Sequence, residues 1–380
     1  MKNLIPFFAM LALMACKKST TDNSPINPGA FSLQVNLGFG SDSYKAGDTV
    51  FIFSNAATAS QVFDKWVGDV SSLQDANEWR TTLKMPSANI TVTATYKTIT
   101  PITFTNIVIN GSQVYYYLPA TYRGIILPFH GAGGSATGWT AANLENLEFC
   151  KYAANNGYAL VITESKDRVN KRWDATATSV DIANIDIILN SLQTSGVIAA
   201  GKPLYGVGMS QGSGFCSIIT ALKNYKAGAL YCLGGIDQVF DQSNVPIIWN
   251  MAAKDLTEDP NRLVSAKANY DKLAVRGIAT AFNINDPTPL YAARFTIAPN
   301  ISITASTEIY NGLKAGGYLD AKGFLNIDPG VSNAWLAAIP PTYQTSAYIG
   351  DIEDQLFVCY AQHKLFKDAS YRTIEFFNRF

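Results

Sequence analysis

Along residues 101–285, short apolar runs alternate with stretches of helical period. The runs 124–129, 158–162, 204–207 and 247–251 are nearly free of polar positions. A strand with one wet face alternates polar and apolar residues, whereas one covered on both faces does not. Between these runs, 141–155, 179–192, 212–222 and 261–274 carry apolar residues at helical spacing. Apolar strands alternating with helices predict an α/β fold, a mostly parallel sheet with helices on both faces. Residues 102–118, including Tyr115, Tyr116 and Tyr117, alternate more and predict antiparallel edge strands. Residues 31–98 read differently. Segments 32–36, 49–53 and 89–96 alternate with period two between turn signals such as Gly47-Asp48, and no helical period is found there. They predict a small all-β module ahead of a domain spanning 101–380.

Composition narrows the class. The chain has 380 residues, 48% of them hydrophobic and 15% charged, enough to bury a large core and too apolar for a disordered chain. Lys and Arg number 29 and Asp and Glu 29, so the basic surface that nucleic acid requires is missing and no nucleic-acid partner is expected. Five Cys without a CxxC spacing and only two His leave no pattern for a structural metal. Any mechanism that needs imidazole must use His130 or His363.

Lys2 followed by the apolar stretch 4–13 reads as an export signal too short to span a bilayer. It ends in Leu13-Met14-Ala15-Cys16, which resembles the lipobox of bacterial lipoproteins. That resemblance implies cleavage before Cys16, its lipidation, and attachment to a bacterial outer membrane or cell surface by acyl chains. Residues 17–30 are small and polar, suited to a flexible linker. The remaining Cys150, Cys216, Cys232 and Cys359 are too widely spaced to reveal any pairing.

The chemistry gathers after three of the apolar runs, because a parallel sheet binds ligands beyond the carboxyl ends of its strands. Gly208-Met209-Ser210-Gln211-Gly212 follows one run and opens a helix. A bare G-x-S-x-G is weak; a strand–turn–helix frame makes it a nucleophile elbow with Ser210 at its tip and the Gln211 amide aimed at an oxyanion. Phe129-His130-Gly131-Ala132-Gly133-Gly134 follows another run, and its glycines let the amides of Ala132 or Gly133 approach a substrate carbonyl. A serine hydroxyl needs a general base. His130 is embedded in the glycine-rich loop, which leaves His363. The acid should lie between Ser210 and His363 in the chain. Asp255, just past the run 247–251, leads, with Asp259, Asp286 and Asp237 as rivals. The stretch 287–350 is longer than a strand and a loop require and reads as an inserted cap over the site.

Two family resemblances follow from these residues. The blocks 44–50, 63–69, 85–86 and 90–96 resemble the divergent internalin B-repeat module of bacterial surface proteins, whose role there implies a spacer or adhesion unit. Residues 31–97 hold no His and no nucleophile elbow and end before the hydrolase strands begin, so they are expected to be dispensable for chemistry. His130 to Gly134, Trp139, Arg172-Trp173, Asp181 and Gly208 to Gly212 resemble the α/β-hydrolase family, closest in pattern to secreted polyhydroxybutyrate depolymerases and feruloyl or acetylxylan esterases. That resemblance implies ester hydrolysis through an acyl-enzyme, no cofactor or metal, and His130, Trp139 and Trp173 lining the substrate site. The expected substrate is a polymer-linked ester, an acyl group on a plant polysaccharide first and an aliphatic polyester second. The competing reading is a non-catalytic adhesin on a hydrolase fold.

Overall fold

The computed structural model describes residues 29–380. Lys2, the apolar stretch and Cys16 lie outside the described residues. Among the described residues no helix is long and apolar enough to cross a membrane.

Residues 30–98 form two small sheets. One orders the strands Asp42–Lys45, Ala30–Asn36, Ile90–Thr98 and Gln61–Gly68; the other orders Gly38–Phe39, Thr49–Ser54 and Arg80–Lys84. Period-two alternation turns Leu33, Val35, Val50, Ile52, Leu83, Val92 and Trp66 into one shared core. The Trp66 indole N–H reaches the Glu78 carbonyl at 2.9 Å, which resolves its one polar atom inside that core.

The remainder is built on an eight-stranded sheet: β1 (Thr105–Ile109), β2 (Ser112–Tyr117), β3 (Gly124–Phe129), β4 (Tyr158–Ile162), β5 (Leu204–Met209), β6 (Ala227–Tyr231), β7 (Ile247–Ala252) and β8 (Thr280–Asn285). Its spatial order is β1-β2-β4-β3-β5-β6-β7-β8. β2 runs antiparallel to both neighbours, and every pair from β4 to β8 is parallel. This is the α/β-hydrolase arrangement. Every residue of β3, β4, β6 and β7 is buried, as two-sided cover demands. Helices α1 (Leu144–Asn155), α2 (Val180–Thr194), α3 (Gln211–Leu222) and α4 (Arg262–Ala274) connect the strands. Two start on side-chain caps. Asn143 accepts from the Asn146 amide, and Ser179 from those of Asp181 and Ile182, satisfying donors that a helix start leaves free.

After β8 the chain makes an excursion before returning as α6 (Ile349–Tyr360) and α7 (Ser370–Phe377). The excursion holds α5 (Ile303–Ala315) and its own core of Leu290, Phe295, Ile309, Leu313, Trp335 and Ile339, closed by Ile352 and Leu356 of α6. The chain reaches position 363 from the end of α6 rather than from a loop directly after the last strand.

The β module is not a detached spacer. Phe53 stacks on Tyr291 with ring centres 4.2 Å apart, and Phe51 meets Phe324 edge-on. The Trp79 indole donates to Asp368 at 2.7 Å, and Arg80 pairs with the same carboxylate at 3.3 Å. Glu78 pairs with Arg372 at 2.5 Å. The sequence signals of both units are intact, yet the interface between them has no local pattern that could announce it.

Candidate active site

The tip of β5 turns into α3 at Ser210, which holds φ 55° and ψ −124°. A non-glycine residue there is strained by about 1–3 kcal/mol and must be held by its surroundings. The holding bonds are the Ser210 amide to Tyr231 O at 2.9 Å and the Ser213 amide to Ser210 O at 2.7 Å. A side chain two residues to either side is impossible. A Cβ on Gly208 would lie 2.4 Å from Gly212 O, and one on Gly212 would lie 2.3 Å from Phe129 O. The Ser210 side chain caps nothing, so its hydroxyl is left for other work.

Beside it runs the glycine-rich loop after β3. Gly131 sits where a Cβ would come 3.3 Å from Ser210 Cβ, so its bare backbone leaves room over the hydroxyl. The Gly133 amide donates to Lys171 O at 3.1 Å, which removes it from the expected oxyanion donors. Among the described residues the Ala132 amide has no backbone acceptor. Gln211, first residue of α3, has an amide with no intrahelical acceptor. Its side chain closes a two-way bridge with the Trp173 backbone, accepting at 3.0 Å and donating at 2.7 Å.

His130, Trp139 and Trp173 were expected to line the substrate site; the structure corrects this. All three are buried. Trp173 packs against both Phe129 and Phe215, and its indole N–H donates to His130 O at 2.9 Å. Trp139 packs on Phe149 under the sheet face opposite. His130 Nε2 accepts from the Ser165 amide at 3.2 Å and Nδ1 contacts Gly131 O at 2.8 Å. That pair of partners fixes the neutral Nδ1–H ring, and burial pushes its pKa down to about 4. His130 and Trp173 brace the glycine-rich loop from beneath, and Trp139 belongs to the core on the other face. Large aromatic residues near a site motif satisfy both readings in sequence; burial separates them. Asp181 joins the same support, accepting from the Lys166 and Asp174 amides at 2.6 Å each.

At the end of β7, Asp255 is buried and its Oδ2 lies 2.6 Å from His363 Nδ1. Lys254 N–H to Ala361 O, 2.9 Å, ties the two loops together. Of the rival acids, Asp237 pairs with Lys272 and Asp259 bonds the Asn261 amide. The structure thus joins Asp255 to His363 and places Ser210 at the same sheet end, but among the described residues it gives no hydrogen bond between Ser210 and His363. Such bonds often tighten only around substrate.

Four residues here escaped the sequence reading. Arg262 donates through Nη1 to both Asp255 oxygens, 2.8 Å each, and the same nitrogen touches His363 Nδ1. A cation in the first turn of α4 opposes the helix dipole, and that misfit was the available signal. Gln362 bridges the His363 amide, 2.8 Å, to Asp328 of the excursion, 2.9 Å. Cys232 donates to Lys364 O at 3.2 Å. Donor atoms of Cys232, Asp255 and His363 lie within 4.8 Å of one another. The Arg262 guanidinium beside them and the raised pKa of the buried thiol make this a poor cradle for a cation. Cys150, Cys216, Cys232 and Cys359 are all buried and free. A cleft of about 210 Å³ lies between the module and the β8 edge, and none of Ser210, Asp255 and His363 lines it.

Residues 33–100 match the Divergent InlB B-repeat domain family. No curated protein matches the chain. Among solved structures, an esterase of Pyrococcus furiosus is similar at 10% identity and TM-score 0.38, over 56% of this chain and 92% of that one. A ferulic acid esterase is similar at 9% identity and TM-score 0.39, over 48% and 88%. A thermostable carboxyl esterase from Bacillus coagulans is similar at 10% identity and TM-score 0.38, over 48% and 89%.

Proposed function

We propose that this chain is an exported serine esterase, held at a bacterial surface through lipidated Cys16, that cleaves carboxylic esters through an acyl-enzyme. The observation that carries the reading is the strained Ser210 elbow at the same sheet end as the pair of buried Asp255 and half-buried His363. His363 takes the Ser210 proton on Nε2 as Oγ attacks the ester carbonyl. Asp255 holds the Nδ1–H and stabilises the imidazolium. The oxyanion receives the amides of Ala132 and Gln211. His363 then protonates the leaving alcohol, the acyl group stays on Ser210, and water repeats the sequence in reverse roles. Acyl esters on plant polysaccharides are the proposed substrates; the match of residues 33–100 to a B-repeat family supports a polymer-linked ester.

The test is kinetic. Ser210→Ala should lower kcat on a p-nitrophenyl ester by about three or more powers of ten with the fold intact. Acetylated xylan, methyl ferulate and a polyester emulsion, assayed side by side, assign the substrate class. Full activity in Ser210→Ala would end the reading.

A further inference from the structure

The stretch that follows His363 is gripped from three directions. From the sheet, Cys232 donates to Lys364 O. From α1, buried Glu145 accepts from the Lys367 amide at 2.7 Å, and Glu145 is itself held by Gln355 of α6 at 2.9 Å. The third grip comes from the β module. Trp79 donates to Asp368 at 2.7 Å and Arg80 pairs with it at 3.3 Å. The Lys367 ammonium lies 4.4 Å over the Trp79 ring, and the buried Arg294 guanidinium of the excursion lies 5.2 Å over it. Asp368 is deeply buried, and the Arg80, Arg294 and Lys367 cations beside it outweigh that burial and hold its carboxyl below the usual range. It is therefore a charged anchor, five residues beyond His363, and its strongest partners belong to a module whose sequence reads as a spacer.

We propose that the module is a positioning element of the hydrolase: Trp79 and Arg80, acting through Asp368, set the loop that presents His363 to Ser210. This rests on the esterase reading. It gives the module a part in the chemistry without contact with substrate. A histidine delivered after a helix and an excursion, rather than by a short loop from the sheet, lacks the support that a strand end supplies. Module, α1 and excursion supply it together.

The experiment uses the full-length protein and one small soluble ester, with fluorophosphonate labelling of Ser210 as a second readout. A base displaced by about 1 Å loses rate rather than binding. Trp79→Ala and Asp368→Asn should therefore lower kcat and the labelling rate by about tenfold or more while KM stays within about twofold. Trp79→Phe keeps the ring and removes the N–H, and it should fall between. Arg80→Lys keeps the charge and should recover most of the rate lost in Arg80→Ala. Lys97→Ala, on the module's exposed pair with Asp64, should change nothing. In a His363→Ala background, adding Trp79→Phe should cost nothing further, since its effect runs through that ring. Unchanged kcat in Trp79→Phe and Arg80→Ala, with both folded, would overturn the proposal, as would an equal loss in the His363→Ala background. If Trp79→Ala fails to fold, Trp79→Phe and the Arg80 pair decide. If Ser210→Ala keeps its activity, it is the esterase reading that fails; if Ser210→Ala is dead and the module variants are not, only the positioning role fails.

Discussion

Asp255 serves two donors at once, Arg262 through both oxygens and His363 through one. Arg262→Gln should therefore destabilise the protein by about 3 kcal/mol, because one member of a buried ion pair is left alone. Chemical denaturation of the purified variant checks this, and a stability equal to wild type would show that the pair contributes nothing. His130 gives a pH signature. Its folded pKa is about 4 against an ordinary 6.5, so the unfolded chain takes the proton first. The stability this neutral ring contributes is complete above about pH 6.5 and is lost as pH falls toward about 4, roughly 3 kcal/mol in all. The melting-temperature gap between wild type and His130→Asn should accordingly narrow across that window. A gap constant with pH would mean that the ring is not held neutral.

At the level of elements, the elbow leaves the least freedom. Gly212→Ala drives a Cβ against Phe129 O, the backbone of the loop that carries Ala132, and neither side can move without breaking β3 or α3. That variant should fail to accumulate as folded protein. Gly133→Ala meets nothing within 4 Å and strains only its φ of 75°, so it should cost about 1–2 kcal/mol and keep activity. Expression, circular dichroism and esterase assay separate the pair. The same contrast explains what was legible in sequence. The strands 124–129 and 158–162 appear at the expected residues because two-sided burial writes itself as an unbroken apolar run. The run 227–231 was not marked as a strand, since Ala and Gly blunt its signal. Helix α1 begins at Leu144 rather than 141, because the turn Gly138–Ala142 precedes it and Asn143 caps it. Helix α6 and the excursion's core rest on contacts among 290, 309, 335 and 352 that no local period encodes. Ser210, His363 and Asp255 stood out as candidates because chemistry limits the choice to few residues, and of these the structure joins Asp255 to His363. Arg262 and Asp328 did not, because their roles arise from loops that meet only in the fold.

The whole molecule is two sequence units joined by aromatic and charged contacts, Phe53 on Tyr291 and Trp79 on Asp368 among them. Full-length protein should unfold in one cooperative transition, and a protein beginning at Thr98 should melt lower. Two independent transitions by calorimetry would contradict the docked arrangement. The dispensable spacer that the sequence suggests is thereby replaced by a module bound to the segments that carry His363 and Tyr291. The central claim, that this assembly is built around a serine nucleophile, is met most directly by mass-spectrometric mapping of a fluorophosphonate adduct on the active full-length protein. The account predicts one adduct, on Ser210, formed in step with loss of esterase activity and slowed by about a thousandfold in His363→Ala. Esterase activity that survives complete labelling of Ser210, or an adduct that forms elsewhere, would contradict it.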